Sequence, residues 1–336
     1  MQQEAFDPPF GSVYKQVLEG WCDVDEISEL DSGADCSEVE ARVPVIDLSC
    51  LNEELEDIEE WCKREICEAA QEWGCFQVIN HGVSSEILEK MRCEQIKAFK
   101  KPFQDKLDLD TYRWGTPSAT CLRHLAWFEA FHLPLTHLHT TTTTTTTTPF
   151  STTINQYAKI TSNLAEKLAE ILAEKLGHNL GFFRENCIPS KCYIRMSRYP
   201  MCPISPHVFG LMPHTDSDFL TILHQDHIGG LQLLRNGKWL NVNPKQETLI
   251  VMIGDLFQAW SNDVYKSVEH RVNANKHFER FSVAYFLCPS NETMIESSCG
   301  GSSSTYRSFS FGEFRQQVQD DVKRFGHKVG LSRFTL

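Results

Sequence analysis

Two hydrophobic patterns divide the chain into a helical part and a β-rich part. In the first part, apolar residues recur at the spacing of a helix face and predict helices from Leu51 to Trp73, from Ser84 to about Lys101 and from about Thr153 to Leu176. A glycine follows the first and the third of these segments, as is common where helices end. Two short apolar runs, Val43–Leu48 and Cys75–Asn80, predict strands beside these helices.

The second pattern, from about Cys192 to Pro289, consists of short apolar runs separated by Gly, Asn, Asp and Pro. This spacing is typical of a closed β architecture such as a jelly roll. The predicted strands are Tyr193–Tyr199, Phe219–Leu223, Leu231–Leu234, Trp239–Val242, Leu249–Ile253, Val268–Val272 and Phe281–Leu287. A last helix is predicted from about Gly312 to Phe325, because Ser310 and Glu313 can form a capping box at its start.

We therefore expect an α+β fold with a mainly β core, a jelly roll flanked by helices, in a single domain over residues 43–336. Its expected parts are a mainly helical part at 43–190, a β core at 191–290 and a C-terminal helical segment at 291–336. Residues 1–42 are acidic and lack a clear pattern, which indicates a partly ordered leader. Residues 140–148 are consecutive threonines, which cannot build a core and indicate a solvated loop.

Composition and charge exclude several classes of protein. Of the 336 residues, 41% are hydrophobic and 23% are charged, which is ordinary for a globular chain and excludes general disorder. The net charge is −13, from 32 Lys and Arg against 45 Asp and Glu. Since no local basic stripe offsets this charge, we expect no binding to nucleic acid. The longest apolar runs, Leu249–Ile253 and Val283–Cys288, are far too short to span a membrane.

The cysteines and the N-terminus indicate where the protein works. The 13 cysteines form no CxxC pair, which argues against a disulfide framework and against a structural zinc site. The first ten residues lack the basic and then apolar order of a secretory signal. We therefore expect a cytoplasmic protein, and a nuclear presence stays open.

The sharpest candidate for chemistry is the segment that contains His214 and Asp216. In an extended segment alternate side chains share a face, so these two side chains would point the same way. A third ligand must come from another strand, and His270 can supply it. Two imidazoles and one carboxylate leave the opposite face of a metal open, which favours Fe(II) with a chelating cosubstrate and O2. A zinc hydrolase could use the same ligands with a water in the open position.

A candidate anchor for the cosubstrate decides between these two metals. Residues 273–277 predict a hairpin turn, so we expect His270 and Arg280 on neighbouring strands, both facing inward. A buried arginine beside an iron site needs an anion, and a dicarboxylic keto acid supplies one while its keto acid end chelates the metal. Ser282, and Tyr199 on an earlier strand, could each add a hydroxyl donor to the far carboxylate. The anchor therefore favours iron.

Four segments give the chain a specific resemblance to a known family. Residues 73–82, 210–216, 268–272 and 280–282 stand in the order found in plant 2-oxoglutarate- and Fe(II)-dependent dioxygenases. The resemblance covers roughly residues 43–336, apart from the threonine run. It implies a distorted double-stranded β-helix flanked by helices, which agrees with the fold class expected from the hydrophobic pattern.

Further segments resemble one group within this family. Tyr112–Thr120, Gly254–Asn262, Tyr265–Val272 and Phe314–Gln319 are similar to the gibberellin 2-oxidases. The first of these segments most resembles the branch that acts on twenty-carbon gibberellin precursors. The resemblance thus implies an enzyme that hydroxylates gibberellins at carbon 2 and thereby deactivates the hormone or its precursors.

The resemblance also implies roles for particular residues. The iron ligands would be His214, Asp216 and His270; the 2-oxoglutarate anchor would be Tyr199, Arg280 and Ser282; and Arg280 would be essential for catalysis. The implied cofactors are Fe(II), 2-oxoglutarate and O2, with ascorbate as a reductant. Relatives usually carry Asn at the position of Ser197, which weakens any role of this position in placing the keto acid or the substrate.

The substrate pocket and the substrate leave alternatives open. Tyr112, Arg113 and Trp114 form an aromatic and cationic cluster that could line a pocket for the gibberellin or, equally, pack the mouth of the barrel. The same chemistry could act on another hydrophobic acid or on a flavonoid. A catalytically inactive barrel that binds a small molecule is the remaining alternative, which loss of a metal ligand would favour, and none of the three ligands is lost.

Overall fold

The fold of this chain is known from a computed structural model, which describes residues 6–22, 40–52, 55–116, 119, 121–136, 149–178, 181–187, 191–205, 207–297 and 304–336. The threonine run expected as a loop, 140–148, lies outside the described residues. The helices are α1 Phe10–Val13, α2 Lys15–Cys22, α3 Glu56–Trp73, α4 Ser85–Phe99, α5 Phe103–Leu107, α6 Pro149–Lys175, α7 Phe182–Asn186, α8 Asp255–Trp260 and α9 Phe311–Phe325. None of the described helices is long and apolar enough to cross a membrane.

The described strands form a large sheet, a smaller sheet and a short two-stranded ribbon. The large sheet has the order β1-β2-β10-β7-β12-β5-β4-β3, the smaller one β6-β11-β8-β9, and the ribbon joins β13 to β14. The strands are β1 Val45–Asp47, β2 Cys75–Ile79, β3 Tyr112–Trp114, β4 Glu129–Pro134, β5 Tyr193–Tyr199, β6 Phe209–His214, β7 Leu220–Gln225, β8 Leu231–Arg235, β9 Lys238–Asn241, β10 Leu249–Ile253, β11 His270–Asn273, β12 Arg280–Leu287, β13 Met294–Ile295 and β14 Phe309–Ser310.

Other elements of the chain cover both faces of the large sheet over most of its strands. Its outer face carries α4 and α6. The ring centroids of Phe281 in β12 and Phe99 in α4 lie 6.2 Å apart. The Tyr285 hydroxyl of β12 donates to the Ser162 hydroxyl of α6 at 3.0 Å. Its inner face meets the smaller sheet, since the Thr221 hydroxyl of β7 donates to Asp216, just after β6, at 2.6 Å. This face-to-face arrangement is the flanked jelly roll expected from the sequence, and the mainly β core of an α+β fold is confirmed.

Helix ends follow the local signals in the sequence closely. Helix α3 ends at Trp73, where Gly74 takes a left-handed conformation (φ 66°) and its N–H binds the carbonyl of Ala70. The Ser310 hydroxyl caps α9 by accepting the backbone N–H of Glu313 at 3.1 Å. The expected capping box is only half formed, because the Glu313 carboxylate accepts from Arg307 instead.

The beginning of the chain packs more tightly than the expected leader implied. Phe10 and Tyr14, from α1 and the residue after it, are almost fully buried. The Phe10 ring stacks on Trp127 with centroids 4.3 Å apart, and the Tyr14 hydroxyl accepts the backbone N–H of Thr116 at 2.6 Å. Two aromatic side chains therefore anchor this acidic segment to the barrel. The expectation of a partly ordered leader rested on the charge of the segment and not on these aromatic residues.

One expected strand pairing is wrong. His270 and Arg280 do not lie on neighbouring strands, since β11 pairs with β6 and β8, whereas β12 pairs with β5 and β7. The chain crosses from the smaller sheet to the large one between them instead of turning back as a hairpin. Both residues are nevertheless buried, at 5% and 2% exposure, so the crossing brings them inside from opposite sheets.

Candidate metal centre and cosubstrate pocket

Strand pairing brings the three candidate metal ligands together. His214 ends β6 and His270 begins β11, and the two residues are Cα partners across these antiparallel strands. Asp216 follows two residues after His214, and its Oδ1 lies 3.6 Å from Nε2 of His214 and 3.8 Å from Nε2 of His270. One ligand atom from each residue lies within 4.8 Å of the others, a group that could hold a metal ion.

Hydrogen bonds at Nδ1 orient the two histidine rings with Nε2 toward Asp216. Nδ1 of His214 lies 2.8 Å from the carbonyl of Met212, and Nδ1 of His270 lies 3.1 Å from that of Val268. A carbonyl only accepts, so each Nδ1 carries the proton and each Nε2 keeps its lone pair for a metal. The residues therefore fit a divalent cation, with one carboxylate and two neutral imidazoles as donors.

Asp216 has one oxygen available for the metal. Its Oδ2 accepts the Thr221 hydroxyl at 2.6 Å, which leaves Oδ1 beside the two histidines. Burial opposes ionisation of Asp216, but His270, His214 and the Thr221 hydroxyl outweigh it and hold the pKa of Asp216 below its usual value. Burial, then the neighbouring His270, lowers the pKa of His214 to about 3. The aspartate is therefore anionic and His214 neutral at physiological pH.

Arg280, the candidate anchor, is buried, and its side-chain partners among the described residues are neutral. Its Nη1 donates to the Ser282 hydroxyl at 3.3 Å and its Nη2 to Oε1 of Gln225 at 3.0 Å. Its Nε has no hydrogen-bond partner, and no carboxylate pairs with the guanidinium among the described residues. The centroid of the Tyr199 ring lies 4.8 Å from the guanidinium carbon. Tyr199, on β5, is the Cα partner of Arg280. An unpaired buried arginine is costly, so this pocket fits a carboxylate ligand.

The register places the anchor and the metal group inside the same barrel. Cross-strand partners share a face, so Ser282 lies on the same face as its β7 partner Gln225. Thr221 lies on that face too, four residues before Gln225, and contacts the metal ligand Asp216. Gln225 was missed by the sequence prediction, which ended this strand at Leu223. The period of alternation, extended by two residues, would have placed its side chain inside.

The three expected pocket residues of β3 do not share one face. Arg113 is the Cα partner of Ala130, which pairs in turn with Ser197 on the inner face. Tyr112 and Trp114 therefore lie on the outer face, which favours the second of the two alternatives that the sequence left open, packing rather than lining a pocket. The Tyr112 hydroxyl donates to Glu129 at 2.6 Å, and the Trp114 ring packs against Phe103. Of the resembling segment, Pro117, Ser118 and Thr120 lie outside the described residues.

A row of rings and a set of arginines occupy the inner face beyond the metal group. His132 stacks on Tyr193 at 3.9 Å, and Tyr193 stacks on Phe286 at 4.4 Å. His132 is the Cα partner of Arg195. Burial, together with the charges of Arg195, Arg315 and Arg113 in that order, lowers the pKa of His132 to about 4. None of these arginines has a carboxylate partner in the part of the chain that the structure describes, so this end of the barrel is cationic in a protein of net charge −13.

Two family models match the chain. Residues 190–289 match the 2OG-Fe(II) oxygenase superfamily. Residues 43–136 match the model described as non-haem dioxygenase in morphine synthesis N-terminal. The first match contains the metal group and the anchor, and the second contains β3 and the helices α3, α4 and α5.

The chain is also similar to individual proteins. It is 52% identical over 337 residues to gibberellin 2-beta-dioxygenase 8 of Arabidopsis thaliana, with 98% of both chains covered. It is 45% identical to gibberellin 2-beta-dioxygenase 5 of Oryza sativa subsp. japonica, with 99% of both chains covered. Among solved structures, JOX2 in complex with 2OG, Fe and JA superposes with a TM-score of 0.70 at 28% identity, covering 89% of this chain and 92% of that one.

Proposed function

The chain belongs to the 2-oxoglutarate- and Fe(II)-dependent oxygenases, and we propose that its reaction is the hydroxylation of gibberellins at carbon 2. The observation that carries the proposal is its similarity, along nearly the whole chain, to two gibberellin 2-beta-dioxygenases. The His-Asp-His group supports an active enzyme, and so does the buried Arg280, which has no carboxylate partner among the described residues. A catalytically inactive binding barrel is not favoured, because all three candidate ligands stand together.

The site residues divide into two roles in this proposal. Fe(II) is held by His214, Asp216 and His270, and the far carboxylate of 2-oxoglutarate is held by Arg280 and Ser282, with Tyr199 beside it. When bound, Fe(II) and 2-oxoglutarate supply the oxidative chemistry: with O2, the keto acid becomes succinate and CO2 while one oxygen atom enters a C–H bond of the substrate. Ascorbate keeps the iron reduced. The chain's own residues place the reactants and exclude water from the barrel.

The cationic end of the barrel supports an acidic substrate. Arg195 and Arg113 lie on the inner face with no carboxylate partner among the described residues. Gibberellins are rigid apolar acids, so one of these arginines can hold the carboxylate while the rings of His132, Tyr193 and Phe286 contact the hydrocarbon. Neutral His132 adds apolar surface to this wall without a competing charge.

The proposal includes a preference and a consequence. The resemblance of Tyr112–Thr120 supports a preference for twenty-carbon precursors over nineteen-carbon hormones. Hydroxylation at carbon 2 would deactivate the hormone, because a receptor surface that buries this part of the ring meets a hydroxyl without a partner. The free thiols of the described cysteines fit a reducing compartment, and we propose the cytoplasm.

The direct test uses purified protein with Fe(II), 2-oxoglutarate, ascorbate and a panel of nineteen- and twenty-carbon gibberellins, read by mass spectrometry. We expect products heavier by one oxygen, hydroxylated at carbon 2, with an equal amount of succinate. The His270→Ala variant is the control and should form neither product nor coupled succinate.

Two results would contradict the proposal. Oxidation at carbon 3 or carbon 20 would place the chain in another branch of the same family. Steady release of succinate without any change in the gibberellins would indicate a different substrate, such as another hydrophobic acid or a flavonoid.

A further inference from the structure

Lys328, near the C-terminus, contacts the segment that carries the metal ligand Asp216. It follows α9 and the turn at Gly326, and its side chain is only 11% exposed. Its Nζ donates to the carbonyl of Thr215 and to the Ser217 hydroxyl, both at 2.9 Å. The residues on either side of Asp216 are therefore both bound by one side chain from a distant part of the sequence.

The same lysine reaches Asp216 by a second route, through Asp255. Its Nζ lies 2.5 Å from Oδ2 of Asp255, the first residue of α8. The backbone N–H of Asp255 donates to the carbonyl of Asp216 at 2.9 Å, and the Thr215 hydroxyl donates to Oδ2 of Asp255 at 3.3 Å. Asp255 thus binds Thr215 through its carboxylate and Asp216 through its backbone N–H, and Lys328 fixes that carboxylate.

This corner of the barrel has little room for adjustment. A Cβ at Gly254, immediately before α8, would lie 2.1 Å from the carbonyl oxygen of Asp218, so the helix starts directly on the ligand segment. Asp216, Asp218 and Asp255 are all buried, at 8%, 1% and 3% exposure. Among the described residues, Lys328 is the lysine or arginine that forms an ion pair with this group. Without it, Asp255 would be buried without a cationic partner, a costly state that favours a shift of the segment.

We infer that Lys328 is a positioning residue for the metal centre: it holds Thr215–Ser217 so that Oδ1 of Asp216 stays between Nε2 of His214 and Nε2 of His270. The Thr221 hydroxyl fixes the other carboxylate oxygen, so backbone and side chain of the ligand are held from two sides. This inference rests on the assignment of these three residues as the metal site. It is independent of which substrate the enzyme oxidises.

The experiment measures metal affinity rather than activity. Metal-free full-length protein is titrated with Mn(II), and free Mn(II) is followed by electron paramagnetic resonance, for the wild type, Lys328→Met and Lys328→Gln. Loss of a group that orients a metal ligand weakens binding by about 10- to 100-fold, so we expect at least about a 10-fold weaker affinity in Lys328→Met. Lys328→Gln keeps a donor for the carbonyl of Thr215 and should lie between the two.

The matched control is Lys323→Met, which removes an exposed lysine from the last turn of α9. It should leave the affinity for Mn(II) unchanged. Melting temperatures of the metal-free variants separate positioning from general stability. A Lys328→Met protein that melts earlier but binds Mn(II) within about twofold of the wild type would overturn the inference. If Lys328→Met does not fold, a Lys328→Gln protein with wild-type affinity overturns it equally.

The outcomes for the wild type keep this inference apart from the proposed function. Wild-type protein that binds Mn(II) but does not oxidise gibberellins contradicts the proposed substrate, and the loss of affinity in Lys328→Met still supports the inference. Wild-type protein that does not bind Mn(II) contradicts the assignment of the metal site, and the inference fails with it.

Discussion

Arg198 and Arg280 are both buried arginines on paired strands, yet their surroundings differ sharply. Arg198, on β5, is 3% exposed and contacts three carboxylates, Glu129 and Asp7 at 2.6 Å each and Glu279 at 2.8 Å. Arg280, on β12, is 2% exposed and pairs with no carboxylate in the described part of the chain. Acidic groups of the protein thus pair with one guanidinium, and among the described residues none pairs with the other.

The faces of the large sheet explain this difference. The register pairs Arg280 with Tyr199 and Arg198 with Phe281, so the two guanidinium groups leave the sheet on opposite sides. On the outer face, Lys106 of α5 joins the Arg198 cluster through Glu129 at 2.5 Å. Covering elements supply charges there, whereas on the inner face the described partners of Arg280 are the neutral side chains of Ser282 and Gln225. A buried charge that its own chain leaves unpaired therefore indicates a binding site better than burial alone does.

The largest effect on stability is expected from Arg198→Met. Removing one partner of a buried ion pair costs about 3–5 kcal/mol, because the remaining charges stay buried. The free energy of unfolding, from urea denaturation, should fall by that amount, while the KM for 2-oxoglutarate of the folded protein should not change. Arg307→Met is the control, since Arg307 and its partner Glu313 are 44% and 47% exposed and such a pair contributes at most about 1 kcal/mol. An Arg198→Met protein of unchanged stability with a raised KM for 2-oxoglutarate would contradict the distinction between Arg198 and Arg280.

Arg280→Ala should instead raise the KM for 2-oxoglutarate and change stability little. Loss of a charge-assisted pair with the carboxylate of 2-oxoglutarate costs about 1.5–3 kcal/mol, or roughly 10- to 150-fold in KM for this cosubstrate. Stability should change little, because no carboxylate of the described residues loses its partner. Arg280→Lys keeps the charge without the planar fork and should recover only part of the affinity. An unchanged KM together with weaker metal binding would show that the anchor is assigned to the wrong residue.

The metal group and the anchor could be predicted because their signals are local. His214 and Asp216, like Arg280 and Ser282, are spaced by two residues, and alternation along an extended chain puts each pair on one face whatever the rest of the fold does. The structure brings the first pair together with His270, and their binding of iron stays a prediction. Helix ends were equally local, as Gly74 and Ser310 show.

Relations between distant segments could not be predicted in the same way. Nothing in the pattern near His270 shows that its strand pairs with β6 and β8 while that of Arg280 joins the other sheet, because register depends on contacts far along the chain. Lys328 reaches the metal segment from 111 to 113 residues away and stands in no motif that points there. The chemistry of Tyr112 and Trp114 fitted a pocket wall and packing of the barrel mouth equally, and the sequence could not choose between them. The alternation within β3 places both residues on the outer face.

That alternation gives the finest test of the two faces, in neighbouring residues of one strand. Tyr112→Phe removes a hydroxyl that donates to Glu129 on the outer face. Because the acceptor is a buried carboxylate, we expect a loss of about 1.5–3 kcal/mol of stability and no change in the KM for any gibberellin. Burial, then Glu129, raises the pKa of Tyr112, so the hydroxyl remains a donor across the working pH range.

Arg113→Gln, on the inner face, should instead weaken substrate binding and leave stability unchanged. Arg113 is exposed and its side chain donates only to the backbone carbonyls of Asp110 and Tyr112 among the described residues, so stability should not change. Its charge lies near His132, where we propose that the substrate carboxylate binds. An exposed charge pair is worth about 0.2–1 kcal/mol, so the KM for a free-acid gibberellin should rise about 1.4- to 5-fold. The KM for the methyl ester, which carries no charge, should be the same in both proteins. An equal rise for acid and ester would mean that Arg113 shapes the pocket without binding the carboxylate, and a raised KM in Tyr112→Phe would mean that the outer face also reaches the substrate.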